Sequence, residues 1–249
     1  MEQIDIIMPV YNSEKYIEEA IESVKKQTIH NWRLIIIDDN STDNTAKIIK
    51  QATHDIKDKV TFIQLKSNTG VANARNVGIN KSTNRYITFL DSDDIWKDDK
   101  LEKQLHFMKE NHYDFSYTCF TYLKNGNYKK VKEIPESLNY EQALKNTFIL
   151  TSTVMIDTES IPRENIIMPD IESEDTATWW NILKKGNLAY GYKENLTIYR
   201  ITPNGLSSNK FKNLKKTWNL YRKHEKIKIV KSIYYFLNYV YNASKKRVE

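Results

Sequence analysis

Three short acidic runs carry the side chains most able to do chemistry in this 249-residue sequence: Asp38-Asp39-Asn40-Ser41, Asp91-Ser92-Asp93-Asp94 and Glu172-Ser173-Glu174-Asp175. Carboxylates crowded into one turn repel unless a cation compensates them. Oxygen-only donors suit a hard divalent ion, Mg2+ or Mn2+, with positions left for water and a diphosphate. The same Asp-x-Asp is also compatible with a solvated turn that caps the next helix. At Asp38-Asp39 a strand-end carboxylate could accept hydrogen bonds from a base or a ribose, while Ser41 or Thr42 suffices as a cap. Glu174 and Asp175 open a helical pattern, where the helix dipole alone favours acids. No G-x-x-x-x-G-K-[ST] or G-x-G-x-x-G loop is present, so a diphosphate would need a metal and a cation instead. Asp93 and Arg75 are the candidates for those two roles.

The elements that must position these runs alternate between strands and helices. Short apolar runs at Ile4 to Met8, Arg33 to Ile37, Val60 to Leu65 and Tyr86 to Leu90 read as strands. Between and after them, Glu14 to Lys26, the segment that starts after Ser41-Thr42-Asp43 and continues towards Gln51, Val71 to Lys81 and Lys100 to Glu110 read as helices. Asn12 or Ser13 is available to cap the first helix. That alternation predicts an α/β, mainly parallel sheet covered on both faces. Ligands in such sheets bind at the carboxyl ends of strands, which marks Pro9 to Asn12, Asp38 to Asn40 and Asp91 to Asp94. From Phe115 to Arg200 the pattern is mixed. Strands are expected at Phe115 to Leu123, Tyr128 to Ile134, Val154 to Asp157, Leu188 to Tyr192 and Thr197 to Arg200, with helices at Tyr140 to Asn146 and Asp175 to Lys185. Beyond the turn signal Pro203-Asn204-Gly205 the tail reads as helical.

Composition narrows the classes. Apolar residues are 40% and charged residues 28% of the chain, ordinary for a globular protein with a full core. The single cysteine, Cys119, reads as a buried strand residue and excludes a disulfide framework or a cysteine-rich zinc site. No apolar run is long enough to span a membrane, and no leader precedes the first strand, so a cytoplasmic location is expected. The five histidines sit in polar or helical contexts without a triad partner. From Lys210 to the end, 12 Lys and Arg stand against 2 acids, a charge of +10. The whole chain carries +6, so the body before the tail is mildly acidic and the tail is a basic appendage.

The ordered motifs resemble the family 2 glycosyltransferases. The resemblance rests on Ile7-Met8-Pro9-Val10-Tyr11-Asn12, Ile36-Ile37-Asp38-Asp39-Asn40-Ser41-Thr42-Asp43, Asn68-Thr69-Gly70-Val71-Ala72-Asn73-Ala74-Arg75-Asn76 and Phe89-Leu90-Asp91-Ser92-Asp93-Asp94. Asp94-Ile95-Trp96 with Lys100-Leu101-Glu102-Lys103-Gln104 is similar to bacterial capsule, lipopolysaccharide and teichuronic-acid transferases. The resemblance implies a GT-A (Rossmann-like), mainly parallel mixed sheet flanked by helices, with a helical C-terminal appendage. It implies a catalytic domain over 1–205, with a nucleotide-binding half at 1–110 and an acceptor-binding half at 111–205, and a basic helical extension at 206–249. It places the base of a nucleotide-sugar donor near Pro9, Tyr11 and Asp39, with Val10 and Asn12 also in the nucleotide site, and Arg75 near the diphosphate. Asp91 would face ribose or a metal, Asp93 would be the principal ligand of Mn2+ or Mg2+, and Asp175 would be the general base. Glu174, Trp179 and Arg200 would line the acceptor or support the site. Tyr199-Arg200 and Gly205-Leu206-Ser207-Ser208 match the end of the catalytic domain in the capsule branch.

The implied reaction is a single inverting displacement onto a hydroxyl of a glycan or lipid-linked acceptor. One carboxylate then takes the acceptor's proton, as in an inverting glycosidase. A second class of function, a non-catalytic sugar-nucleotide or glycan-binding partner subunit, needs the donor site without Asp175 chemistry. A sugar nucleotidyltransferase would need a glycine-rich, arginine-containing loop where Pro9-Val10-Tyr11-Asn12 stands. In the tail, Ile229, Val230, Ile233, Phe236, Leu237 and Val240 fall on one helical stripe, widened by Tyr234, Tyr235, Tyr239 and Tyr241. Two partners remain open for it: an anionic membrane surface, or the catalytic domain or a second copy of the chain. Nucleic acid is not expected, since no recognition motif accompanies the charge.

Overall fold

A computed structural model of the chain describes residues 3–146, 148–202 and 210–245. β1 (Ile4–Val10) and β2 (Trp32–Asp38) are buried along almost their whole length, as continuous apolar runs require in a sheet covered on both faces. Between them α1 (Ile17–Lys25) turns Ile17, Ala20, Ile21 and Val24 inward, the spacing of one helical stripe. α2 (Thr45–Ala52), β3 (Val60–Gln64), α3 (Val71–Lys81) and β4 (Tyr86–Phe89) follow. The parallel strands lie in the order β3-β2-β1-β4. The chain therefore runs outward from β1 and returns to β4 on its other side. That reversal opens a crevice at the carboxyl ends of β1 and β4, the switch point where such sheets take ligands.

Pro9 lies inside β1, where a missing N–H is normally harmful. Val10 accepts from Asp39 N–H on the β2 side, and the alternation of a strand turns Pro9 to the β4 side. The last bond there is from Leu90 N–H to Ile7, so Pro9 sits beyond the end of the β4 ladder.

β5 (Ile95–Trp96), α4 (Lys100–Asn111), β6 (Phe115–Lys124), β7 (Asn127–Lys132), β8 (Ser137–Leu138), α5 (Tyr140–Leu144) and β9 (Met155–Asp157) come next. α6 (Glu174–Lys184) then leads into β10 (Ala189–Ile201). β9 is inserted antiparallel between β4 and β6, β10 runs parallel to β6, and β5 closes the edge antiparallel to β10. One mixed sheet, β3-β2-β1-β4-β9-β6-β10-β5, thus crosses residue 110 without a break.

Three local expectations are corrected. The strands expected at Leu188 to Tyr192 and Thr197 to Arg200 are a single β10, irregular in register between Tyr192 and Thr197. Lys193 and Glu194, which read as a break, stay in the strand and pair with Glu136 and Lys103. Neither Asn12 nor Ser13 caps α1 through its side chain, because both are engaged elsewhere; the Ser13 carbonyl accepts from Tyr16 and Ile17 instead. α2 starts at Thr45, after Ser41-Thr42-Asp43 as expected, but neither Ser41 nor Thr42 caps it; the Thr45 N–H donates to Asp43 at 3.0 Å.

Gly191 in β10 marks a close approach of two backbones. A Cβ there would lie 2.1 Å from the carbonyl oxygen of Pro135, and backbone cannot yield as a flexible side chain does. Gly191→Ala is expected to destabilise the fold by about 2–3 kcal/mol or more. In a thermal melt this is a fall in Tm of roughly 5–10 °C; an unchanged Tm would contradict the packing described.

The tail forms α7 (Lys210–Asn219), a π-helical turn (Leu220–His224) and α8 (Ile229–Lys245). Tyr221 is fully buried, stacks on Trp180 with ring centroids 5.4 Å apart, and donates its hydroxyl to the Leu144 carbonyl. Tyr235 joins the same cluster. Of the apolar stripe of α8, Phe236 packs against this cluster, whereas Ile229, Val230, Ile233, Leu237 and Val240 are exposed. Pro203-Asn204-Gly205, Gly205-Leu206-Ser207-Ser208 and the boundary between 205 and 206 lie outside the described residues. Among the described residues, no helix is long and apolar enough to cross a membrane.

Candidate active site

The loops after β1 and β2 are sewn together at the crevice. Asn12 and Asn40 both have positive φ, at 47° and 62°, a region asparagine tolerates better than most residues. The Asn12 side-chain oxygen accepts from Thr42 N–H at 2.8 Å, and Asn12 N–H donates to the Ser41 hydroxyl at 2.9 Å. Pro9 and Val10 are buried in β1, and Val10 joins the core cluster beneath it. Tyr11 is 48% exposed there, a ring available for stacking.

Asp38 and Asp39 separate in role. Asp38 is a structural residue that accepts from Ser41 and from the Gln64 amide. Asp39 accepts from the N–H and hydroxyl of Thr69 and from Gly70 N–H, at 2.8, 2.9 and 2.7 Å. A carboxylate has about four acceptor positions, so Asp39 keeps room for one further N–H. Gly70 has φ of 90°, which favours glycine at the start of α3.

The acidic turn after β4 is held from three sides. Ser13 and Ser92 share a hydrogen bond of 2.7 Å. Ser152 accepts from Asp91 N–H at 3.1 Å and donates to Asp94 at 2.6 Å. Arg200 donates its N–H to Asp94 and its Nε to the Asp93 carbonyl, and its guanidinium reaches Glu19. Asp94 is fully buried; burial, then the charges of Asp93 and Asp91, hold its carboxyl well above the usual carboxylate range. It is therefore an anchor of the turn. Asp93 receives no hydrogen bond from another side chain among the described residues. Burial and then the Asp91 charge push it up to about 6.

Arg75 joins this turn to α6. Its guanidinium donates to Asp91 at 2.7 Å and to Glu174 at 2.6 Å, and its side chain is 5% exposed. Burial works against its charge, yet Asp91, Glu174 and Asp175 together hold its pKa above the ordinary value. One cation thus serves three carboxylates. Asn76 exchanges two 2.8 Å bonds with the backbone of Met168, so consecutive residues of α3 grip the segment leading into α6. Ser173, just before α6, has φ of 64°, a costly conformation that turns the chain so that Glu174 and Asp175 begin the helix. Asp175 is half-buried; it accepts from Thr151 at 3.0 Å and from its neighbour Thr176 N–H at 2.6 Å.

Trp179 lies on the same helix, α6. It is 1% exposed and packs edge-on against Phe89 at 5.8 Å, so it supports α6 from the core. Thr151 and Ser152 belong to the site without any sequence pattern to mark them; a Thr-Ser-Thr turn has no signature, and only the fold brings it between β4 and α6. A cavity of about 290 Å³ lined by Ile171, Glu172, Asn219, Leu220, Lys223 and His224 opens between the segment before α6 and the end of α7.

Asp91 and Asp93 present hard oxygen donors, and at Asp93 burial and the Asp91 charge outweigh the opposing charges of Arg200 and Arg75, so its carboxyl stays raised. Among the described residues no group of three or more His, Cys, Asp or Glu closes around one point. The donor set fits a divalent ion held by two carboxylates and completed by substrate oxygens and water.

Comparison with known proteins agrees with this geometry. The family model for glycosyl transferase family 2 matches residues 5–167. The chain is 45% identical over 248 residues to a Bacillus subtilis (strain 168) protein named as a candidate teichuronic acid biosynthesis glycosyltransferase, TuaG, covering 98% of this chain and 97% of that one. It is 36% identical over 245 residues to the Escherichia coli UDP-Glc:alpha-D-GlcNAc-diphosphoundecaprenol beta-1,3-glucosyltransferase WfgD, covering 98% and 94%. Its fold superposes on Staphylococcus aureus TarS 1-349 in complex with UDP-GlcNAc with a TM-score of 0.73 at 20% identity, covering 96% of this chain and 72% of that one. With the switch-point crevice, the acidic turn and these near full-length relatives in agreement, the chain belongs to glycosyl transferase family 2.

Proposed function

We propose that this glycosyltransferase transfers a sugar from a UDP-sugar to a hydroxyl of a glycan or lipid-linked acceptor in surface polysaccharide synthesis, with inversion and with a divalent metal. One observation carries the reading: Arg75 ties Asp91, at the switch point, to Glu174, the neighbour of Asp175. That tie supports a site in which diphosphate-side carboxylates and a candidate base share one crevice. The names of the relatives support a UDP-linked donor and a diphosphoundecaprenol-linked acceptor. With one buried free cysteine, the fold needs no oxidising compartment, in keeping with work in the cytoplasm.

In this reading Tyr11 stacks on the base and Asp39 offers its remaining acceptor position to a base N–H. Asp93 and Asp91 hold Mn2+ or Mg2+, which supplies charge neutralisation for the diphosphate. Arg75 acts through the carboxylates it holds. Arg200 fixes the backbone of Asp93, and Glu174 keeps α6 in register with the turn. The acceptor oxygen forms its bond to the anomeric carbon as the bond to the diphosphate breaks. The diphosphate leaves with the electron pair, and Asp175 takes the hydroxyl proton.

Calorimetry with UDP, with and without Mn2+, tests the donor half. UDP is expected to bind only with the metal, and Asp93→Asn is expected to lose that metal-dependent binding. Equal binding without metal, or an unaffected variant, would refute it. A screen of donor hydrolysis across UDP-glucose, UDP-galactose and their N-acetyl forms then identifies the sugar. Binding without turnover of any donor would favour the non-catalytic partner subunit.

A further inference from the structure

The outward face of α8 plays no part in the sugar chemistry. Ile229, Val230, Ile233, Leu237 and Val240 are 48%, 76%, 46%, 63% and 36% exposed. At 3.6 residues per turn they share one arc of about 100° that holds no charged residue. Five large aliphatic side chains side by side mark an interaction surface. The opposite face is committed to the body of the protein. Ser232 and Tyr235 are buried, Tyr235 meets Tyr221 at 6.3 Å, and the Asn242 amide donates to the Lys145 carbonyl at 3.2 Å. The helix therefore cannot hide the stripe by rolling over.

The charges of this segment are all of one sign. Lys226, Lys228 and Lys231 are exposed at its start, and the Lys145 ammonium stands 5.3 Å from the Tyr234 ring. The sequence continues as Lys245-Lys246-Arg247, with no acid between Glu225 and Glu249.

We propose that α8 docks on an anionic lipid surface, lying in its plane. The aliphatic arc enters the acyl boundary and the lysines meet the headgroup phosphates. Crossing is excluded for the described helices by their length and polarity. A second copy of the chain is the poorer occupant, because it would bring two lysine-rich segments together. From Ile229 to Val240 the face measures about 17 Å by about 10 Å, on the order of 170 Å², well short of the roughly 800 Å² per partner of a stable interface. Through Tyr221 on Trp180 the docked helix is fixed to α6, so the membrane would set the orientation of the acceptor side. The docking is independent of the donor chemistry.

The test mixes the full chain with vesicles of phosphatidylcholine alone or of phosphatidylcholine with phosphatidylglycerol. The chain is expected to sediment with the anionic vesicles about tenfold more strongly or better, and to be released by salt. The exposed double substitution Val230→Asp with Leu237→Asp is expected to weaken that binding roughly tenfold or more, with unchanged Tm and UDP binding. Absent binding, equal binding to both vesicles, or an unaffected double variant overturns the proposal. A chain that ignores vesicles but forms a dimer dissolved by the same substitutions assigns the face to a second copy instead.

Discussion

Asp175→Asn is expected to lower kcat by about 10²–10⁴-fold, the range a positioned general base contributes, while UDP affinity stays unchanged. The substitution is a clean one because the site can accept it. Thr176 N–H donates to one oxygen of Asp175 and the Thr151 hydroxyl to the other. An asparagine can keep its oxygen on Thr176 N–H and donate its amide to the Thr151 oxygen, since a hydroxyl both gives and accepts. The geometry of α6 is then retained and only the proton acceptor is lost. Turnover is measured with the donor chosen by the hydrolysis screen, and UDP binding by calorimetry. A variant that keeps turnover within about twofold of the parent would remove Asp175 from the chemistry, because no general base is dispensable at that level.

The parallel half of the fold and its three strand-end sites are readable from the sequence because each strand is short, apolar and followed directly by its polar turn. The site beyond those turns is less readable, for a physical reason. Arg75 meets Asp91 across 16 residues and Glu174 across 99, and Asn76 meets Met168 across 92. Local periodicity carries no trace of such pairings. The absent side-chain cap at Asn12 and Ser13 has the same origin: a side chain suited to a nearby helix end serves equally well for a distant loop. β10 reads as two strands because Lys193 and Glu194 resemble a turn, whereas their partners Glu136 and Lys103 make them acceptable inside a strand. In α8 the periodicity is legible and what the stripe meets is not. An aliphatic stripe suits a membrane surface as well as a packing face, and only Tyr221 and Tyr235 show which side of the helix is buried.

Arg75→Met is expected to cost about 3–5 kcal/mol of stability, as removing one member of a buried ion pair does. Methionine is close in length and apolar, so the loss is of charge and hydrogen bonds rather than of volume. What remains is Asp91, Glu174 and Asp175 without the cation that holds all three. That loss is a large share of the roughly 5–15 kcal/mol that usually separates folded from unfolded chains, so a companion variant keeps the test decisive. Adding Glu174→Gln removes one of the stranded charges and is expected to recover part of the stability, read as the urea midpoint. It does not restore the tie between the acidic turn and α6, so kcat is expected to stay low in the double variant even where it is well folded. Arg75→Lys separates charge from geometry: an ammonium keeps the sign but lacks the planar fork that spans Asp91 and Glu174, and an intermediate stability is expected. If Arg75→Met unfolds within about 0.5 kcal/mol of the parent, a surface-like effect, Arg75 is no keystone. If the refolded double variant recovers full turnover, the link from α3 to the base is structural only, and the two sides of the crevice are positioned independently.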